Sequence, residues 1–313
     1  MSAVNLKVIP SRRDSANNPR LRLSSGYTHP MTTFRYVECP RDAWQGMSSF
    51  IATETKIRTL QALLDGGFTR LDMGSFVSPK AVPQLADTEE VLAGLEVPKG
   101  ADLLGIIANE RGLERAAEAL NLTSVGYPLS VSDTFQRRNT NRSVADSWPL
   151  VEHMVSGAAA AGLELVVYLS MGFGNPYGEP WTAQDTAEAV MRLRDLGATR
   201  IALADTVGTA TPERLRSVLD ASPEPHRLGL HLHARPDAWQ KPLEVALGYG
   251  VNWLEGALGG VGGCPFAADA LVGNLPTERV LPWLEARTGF SPVERSTLDT
   301  LTQDAAHLAA NHQ

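Results

Sequence analysis

The amino-acid sequence predicts a (β/α)8 barrel, and three observations carry that prediction. Short β-like runs alternate with amphipathic helical stretches, eight such units fit into about 250 residues, and most helical stretches end in glycine just before the next strand. An open, doubly wound sheet is the rival architecture. It would place a Gly-x-Gly-x-x-Gly turn after its first strand to hold a dinucleotide, and this chain has none there.

In chain order, Phe34–Glu38 reads as the first strand, Thr53–Leu64 as a helix and Arg70–Phe76 as the second strand. Thr88–Leu95, Asp102–Ala108 and Leu113–Leu120 continue the alternation as helix, strand and helix. Ser124–Val131 is the fourth strand, and the helix over Ser143–Ala161 opens on Ser143-Val144-Ala145-Asp146, a helix-start signal. Leu163–Ser170 follows as a strand. Thr182-Ala183-Gln184-Asp185 starts the helix over Ala183–Leu196, and Arg200–Asp205 is the sixth strand. Thr211-Pro212-Glu213 puts proline at the first position of the helix over Pro212–Leu219. Arg227–His233, a helix over Asp237–Leu247 and Trp253–Leu258 complete the eight units. Gly66-Gly67, Gly162, Gly197 and Gly250 end helices where a left-handed cap is needed. Two more helices, from Thr277 and over Pro292–His307, are expected to cap the barrel or pack against a neighbour.

Met1 to Pro30 is rich in Ser, Asn and Arg without a period, so residues 1–30 read as a tail and 31–313 as one domain. Arg12, Arg13, Arg20 and Arg22 faintly suggest a transit peptide; Asp14 and the missing amphipathic stripe count against it. The N-terminus also lacks the apolar stretch of a secretory signal, and no apolar run reaches the roughly 18 residues of a membrane helix. A net charge of -7 argues against nucleic-acid or anionic-membrane partners. With only two cysteines, Cys39 and Cys264, no disulfide framework is implied, and a reducing cytoplasm fits the composition.

The chemistry is expected at the C-terminal ends of the strands. Leu230-His231-Leu232-His233 is the most informative stretch, because alternate residues of a strand share a face and both imidazoles can hold one metal ion. Arg41-Asp42 ends the first strand, Asp72 lies in the second, and Asp205-Thr206 ends the sixth. A glycine-rich loop with Cys264, then Asn274, follows the eighth. Each has a plain structural reading: a local ion pair for Arg41-Asp42, a turn or cap for Asp205, an inert thiol for Cys264. Their order on successive strand ends is the specific signal.

From about Phe34 to about Leu284 the chain resembles the 3-hydroxy-3-methylglutaryl-CoA lyases, within the divalent-metal barrel lyases and Claisen-type synthases. The resemblance rests on Pro40-Arg41-Asp42-Ala43-Trp44-Gln45, Ser75-Phe76-Val77-Ser78-Pro79-Lys80, Asp205-Thr206-Val207-Gly208-Thr209-Ala210-Thr211-Pro212 and Gly259-Gly260-Val261-Gly262-Gly263-Cys264-Pro265, followed by Gly273-Asn274-Leu275. It implies a (β/α)8 barrel in which Asp42, His231, His233 and Asn274 coordinate Mg²⁺ or Mn²⁺; Zn²⁺ is compatible with the same ligand types. It also implies that Arg41 stabilises enolate charge, that Cys264 delivers a proton, and that His231 doubles as an acid–base group. Asp72 would orient Arg41 or the metal-bound water, Asp205 would belong to the catalytic set, and Arg137 and Arg138 would meet coenzyme A phosphates.

Four departures stand beside the resemblance. Asp72 replaces a glutamate, which moves the carboxylate by about 1.5 Å. Ala234 follows His233 where the family has aspartate, Ser48 replaces a lysine, and Asn175-Pro176-Tyr177-Gly178-Glu179 stands for Cys-Pro-Tyr-Glu-Gly. The expected activity is therefore metal-dependent cleavage of 3-hydroxy-3-methylglutaryl-CoA to acetyl-CoA and acetoacetate, in a homodimer. The alternatives are the same chemistry, or its condensing reverse, on another 3-hydroxyacyl-CoA or hydroxy acid, and a non-catalytic barrel.

Overall fold

The computed structural model describes residues 34–263 and 272–312. Eight parallel strands close a barrel: β1 (Arg35–Glu38), β2 (Arg70–Ser75), β3 (Asp102–Ile106), β4 (Ser124–Ser130), β5 (Glu164–Ser170), β6 (Arg200–Asp205), β7 (Gly229–Ala234) and β8 (Trp253–Gly256). Closure comes from β8 pairing back onto β1, from Arg35 opposite Trp253 to Glu38 opposite Gly256. Around it run α1 (Pro40–Trp44), α2 (Thr53–Asp65), α3 (Thr88–Ala93), α4 (Glu110–Glu118), α5 (Asp133–Thr140), α6 (Val144–Ala160), α7 (Ala183–Asp195), α8 (Pro212–Ala221) and α9 (Gln240–Gly248). A two-residue strand β9 (Gly273–Asn274) then pairs antiparallel with β7, before α10 (Thr277–Thr288) and α11 (Arg295–His312). The barrel expected from the sequence is present, with the two extra C-terminal helices. The N-terminal tail and Cys264 lie outside the described residues.

The helix starts follow local chemistry. Ser143 accepts from the Asp146 N–H, Thr182 and Asp185 form a reciprocal capping box, and Thr211 caps α8 with Pro212 behind it. Gly162 and Gly197, at φ 71° and 90°, let the chain leave α6 and α7 in the left-handed conformation that side chains disfavour.

Two elements differ from the sequence expectation. Residues 40–44 form α1 instead of extending the first strand, because Pro40 at the first helical position pre-sets φ and five residues carry too little periodicity to show. Residues 133–140 form α5, with the Ser132 hydroxyl accepting from the Phe135 N–H, in a stretch to which the sequence reading assigned no element. The seventh strand also starts later than expected, since Pro225–Arg227 make a 3-10 turn ahead of it.

The core has two zones. Outward side chains such as Leu103, Val167, Leu203, Leu230 and Leu254 pack under the helices, while Val37, Cys39, Leu104, Val166, Tyr168, Ala202 and Trp253 fill the barrel itself. Glycine makes the large rings fit. A Cβ on Gly229 would stand 2.4 Å from the Trp253 indole, and one on Gly126 would stand 2.8 Å from the Tyr168 ring. At the N-terminal end of the barrel, Arg200 closes the floor by donating to Asp102 (2.9 Å), Glu164 (2.6 Å) and Ser124 (3.1 Å). The strand-end residues Arg41, Asp42, His231 and His233 lie at the opposite end.

Glu38 faces out of the barrel, where it accepts from the Leu258 N–H at 2.7 Å and the Thr277 hydroxyl at 2.6 Å. Burial outweighs these bonds and pushes its carboxyl up from 4.5 to about 8. The folded chain thus holds this proton more tightly than the unfolded one. The resulting stability is complete below the unfolded value and is lost as pH rises through about 8. Glu38→Gln should remove that slope. Urea denaturation of both proteins from pH 5 to 9 should show the variant's relative stability growing with pH and levelling above about 8; a difference independent of pH would contradict it.

Candidate active site

β7 runs between β6 and β8, so Leu230 and Leu232 face the helices while His231 and His233 face the barrel axis. Their Nε2 atoms stand 3.2 Å apart. The outer nitrogen of each ring is held: Nδ1 of His231 lies 2.9 Å from Glu255 Oε2, and Nδ1 of His233 lies 3.2 Å from the Thr206 carbonyl oxygen. Both partners only accept, so a neutral ring carries its proton on Nδ1 and turns an Nε2 lone pair toward its neighbour. Two lone pairs that close repel unless a proton or a cation lies between them.

Asp42 supplies the third donor atom. α1 brings its Oδ2 to 3.7 Å from His233 Nε2, and the three ligand atoms of Asp42, His231 and His233 all lie within 4.8 Å of one another. Asn274 sits opposite His233 across the β7–β9 pairing, with Nδ2 donating to Asp42 Oδ2 (2.7 Å) and to the Val261 carbonyl (2.9 Å). Its amide oxygen is the atom a cation would use. One carboxylate, two imidazoles and one amide oxygen make a mixed nitrogen and oxygen donor set that fits a divalent cation.

Arg41 ties this cluster to β2. Its Nε lies 3.0 Å from each oxygen of Asp72, Nη2 donates to Asp72 as well, and Nη1 donates to Asp42 (2.9 Å) and Gln45 (3.0 Å). Gln45 in turn donates to Asp42 at 2.8 Å. These bonds leave one guanidinium N–H without a partner among the described residues. Burial opposes the guanidinium's charge; Asp72 and Asp42 more than offset it and hold Arg41 firmly cationic. The Asp42 carboxyl is likewise opposed by burial, yet Arg41 and the two histidines hold it well below the usual range. For His231 burial pulls downward, and the Glu255 hydrogen bond and charge, with Asp42, raise it above an ordinary histidine.

A model of the HMGL-like family matches residues 37–305. The chain belongs to the HMGL-like family. It is 32% identical over 249 residues to a hydroxymethylglutaryl-CoA lyase of Bacillus subtilis, covering 79% of this chain and 83% of that one. It is 34% identical to the mitochondrial hydroxymethylglutaryl-CoA lyase of Mus musculus, over 76% of this chain and 74% of the relative. Among solved structures, the HMG-CoA lyase from Acinetobacter baumannii in complex with coenzyme A and 3-methylmalate superposes with a TM-score of 0.82. That match is at 30% identity and covers 91% of this chain and 93% of that one.

The HMGL-like sequence signals Arg41, Asp42, Asp72, His231, His233 and Asn274 meet in one cluster. Asp205 stands next to it and spends its oxygens on the loop after β6, accepting from the N–H groups of Thr209 (2.8 Å) and Ala210 (2.7 Å). It shares with His233, Ala234, Trp239 and Lys241 the wall of a cavity of about 670 Å³. Arg137 and Arg138 lie apart on α5, the first paired with Asp133 at 2.6 Å and the second over the Tyr177 ring at 4.8 Å. The missing aspartate at Ala234 does not leave His233 loose, since the Thr206 carbonyl holds the ring. Ser48 lies on the surface, bonded to the His312 carbonyl at the end of α11.

Sequence reasoning passed over Gln45 and Glu255. The signal for Glu255 was available: a carboxylate inside Trp253-Leu254-Glu255-Gly256, a strand buried throughout, needs partners.

Asp72 is fully buried against Arg41. Asp72→Ala would leave that guanidinium with Asp42 as its one carboxylate partner among the described residues, which is expected to cost about 3 kcal/mol, the low end for breaking a buried ion pair. Equilibrium urea denaturation checks this; a loss near that of a surface substitution would mean the pair is dispensable.

Proposed function

We propose that this chain is a divalent-metal-dependent carbon–carbon lyase that splits 3-hydroxy-3-methylglutaryl-CoA into acetyl-CoA and acetoacetate. The observation that carries the reading is the convergence of His231 Nε2, His233 Nε2 and Asp42 Oδ2 on one point beside the Arg41–Asp72 pair. The printed names of the relatives support the substrate, and the Acinetobacter baumannii complex supports an acyl-CoA ligand.

Asp42, His231, His233 and Asn274 would hold the cation. When bound, Mg²⁺ or Mn²⁺ would supply Lewis acidity to the substrate's 3-hydroxyl, lowering its pKa at neutral pH. Loss of that proton drives cleavage of the C2–C3 bond to acetoacetate and the enolate of acetyl-CoA. The unpartnered N–H of Arg41 is available to the thioester oxygen where enolate charge collects, and Asp72 keeps the guanidinium aimed. With Nδ1 on Glu255 and Nε2 facing the ligand point, His231 acts as a ligand and has no nitrogen left for acid–base work. Cys264 would return a proton to C2, so the reaction neither consumes nor releases one. Arg137 and Arg138 would meet coenzyme A phosphates, and Asp205 would hold the loop after β6 against the site. No helix among the described residues is long and apolar enough to cross a membrane. The reading includes a cytoplasmic homodimer.

Purified protein with Mn²⁺ should release both acetyl-CoA and acetoacetate from 3-hydroxy-3-methylglutaryl-CoA, and His231→Ala should lower the rate by at least ~100-fold. Protein that binds Mn²⁺ yet yields neither product would overturn the substrate and leave a different 3-hydroxyacyl compound. Cys264→Ala should cut turnover while the Mn²⁺ stoichiometry stays at the wild-type value; unchanged turnover would remove Cys264 from the mechanism.

A further inference from the structure

β8 contributes a buried carboxylate to the barrel interior that the reaction above does not use. Glu255 sits level with His231 in the β7–β8 register. Both of its oxygens are engaged. Oε1 accepts from Tyr168 Oη at 3.2 Å and Trp253 Nε1 at 3.1 Å, while Oε2 takes His231 Nδ1 at 2.9 Å, with the Cys39 thiol 3.9 Å away. The residue is 1% exposed, so water does nothing for its charge.

Burying a carboxylate among neutral donors is costly, and the hydrogen bond to the His231 ring is what links this one to the ligand cluster. A neutral imidazole has a single N–H. Beside a carboxylate that proton belongs on Nδ1, which leaves Nε2 as a lone pair aimed at His233 Nε2 and the Asp42 side. The geometry points to Glu255 as a positioning residue that locks His231 in the Nδ1–H tautomer and thereby sets the affinity of the site for its cation. This rests on the metal reading of Asp42, His231 and His233. Coupling runs both ways: a cation at Nε2 polarises the ring and stabilises Glu255, so the Glu255 charge must tighten the cation.

Trp253 makes the idea testable by an isosteric change. In Glu255→Gln the indole N–H can only donate, so the amide oxygen must stay on the Trp253 and Tyr168 side. The amide NH₂ then faces His231 Nδ1 and donates to it. The ring is forced into the other tautomer, and its Nε2–H points into the ligand cluster. Shape and volume are retained, but the metal lone pair is lost.

The experiment is ¹⁵N-histidine NMR of the metal-free protein, followed upward in pH until the His231 signals stop changing and the ring is neutral, together with Mn²⁺ titration. His231→Ala assigns the signal among the seven histidines. Wild type should show His231 as Nδ1–H and Glu255→Gln as Nε2–H, with Mn²⁺ affinity lower by about 10–100-fold and the urea midpoint confirming a folded protein. Glu255→Asp, which keeps the carboxylate, should retain the wild-type tautomer and recover part of the affinity. An unchanged tautomer in Glu255→Gln overturns the proposal, as does Mn²⁺ affinity within about twofold of wild type. If wild type itself binds no Mn²⁺, the metal reading fails, while the tautomer comparison still decides whether Glu255 positions the ring.

Discussion

A closed eight-stranded barrel gives its inward side chains almost no water, so charge placed there must be balanced on the spot. At the C-terminal end of this barrel the buried carboxylates of Asp42, Asp72 and Glu255 meet one guanidinium, Arg41, with the buried Asp205 beside them. Carboxylates outnumber the one guanidinium, so the cluster carries an excess of negative charge. A divalent cation at the point where His231, His233 and Asp42 converge would offset it. Without one, the same excess favours a proton on His231, which is the direction in which that group is shifted. The ligand atoms and the charge balance therefore point to the same occupant by independent arguments.

The departures from the lyase pattern look less disruptive once placed in this balance. Shortening the strand-two carboxylate to Asp72 does not break its contact with Arg41, because α1 carries the guanidinium onto both oxygens. The family aspartate missing at Ala234 is a lost side-chain partner, but the Thr206 carbonyl offers His233 Nδ1 an acceptor from the backbone. A backbone acceptor adds no charge.

Much of the fold was legible in the sequence because strand and helix periods alternate cleanly and helix starts and stops are marked by Ser143, Thr182, Thr211 and the closing glycines. The ligand pair was legible for the same reason: a period of two at a strand end fixes which side His231 and His233 face. What escaped was short or depended on partners distant in sequence. α1 and β9 are too brief to show a period, yet they carry Asp42 and Asn274 into place. Glu255 and His231 are 24 residues apart, and only the β7–β8 register makes them neighbours. Hydrogen-bond partners across a barrel belong to its closure and leave no local pattern.

That closure also explains why unremarkable glycines matter to the chemistry. Gly229 admits the Trp253 indole of the neighbouring strand, and Gly126 admits the Tyr168 ring. These two rings present the N–H and O–H that hold Oε1 of Glu255, which leaves Oε2 for His231. Two missing methyl groups on β4 and β7 thus decide where two aromatic rings lie, and the rings decide which oxygen of a buried carboxylate meets the imidazole. Overpacking at either glycine would force the rings to shift, because a dense interior has little free volume in which to absorb a methyl group. The site is in this sense built from below. The cation ligands at the rim take their orientation from a packed layer beneath them, and that layer is set by side-chain volume as much as by charge.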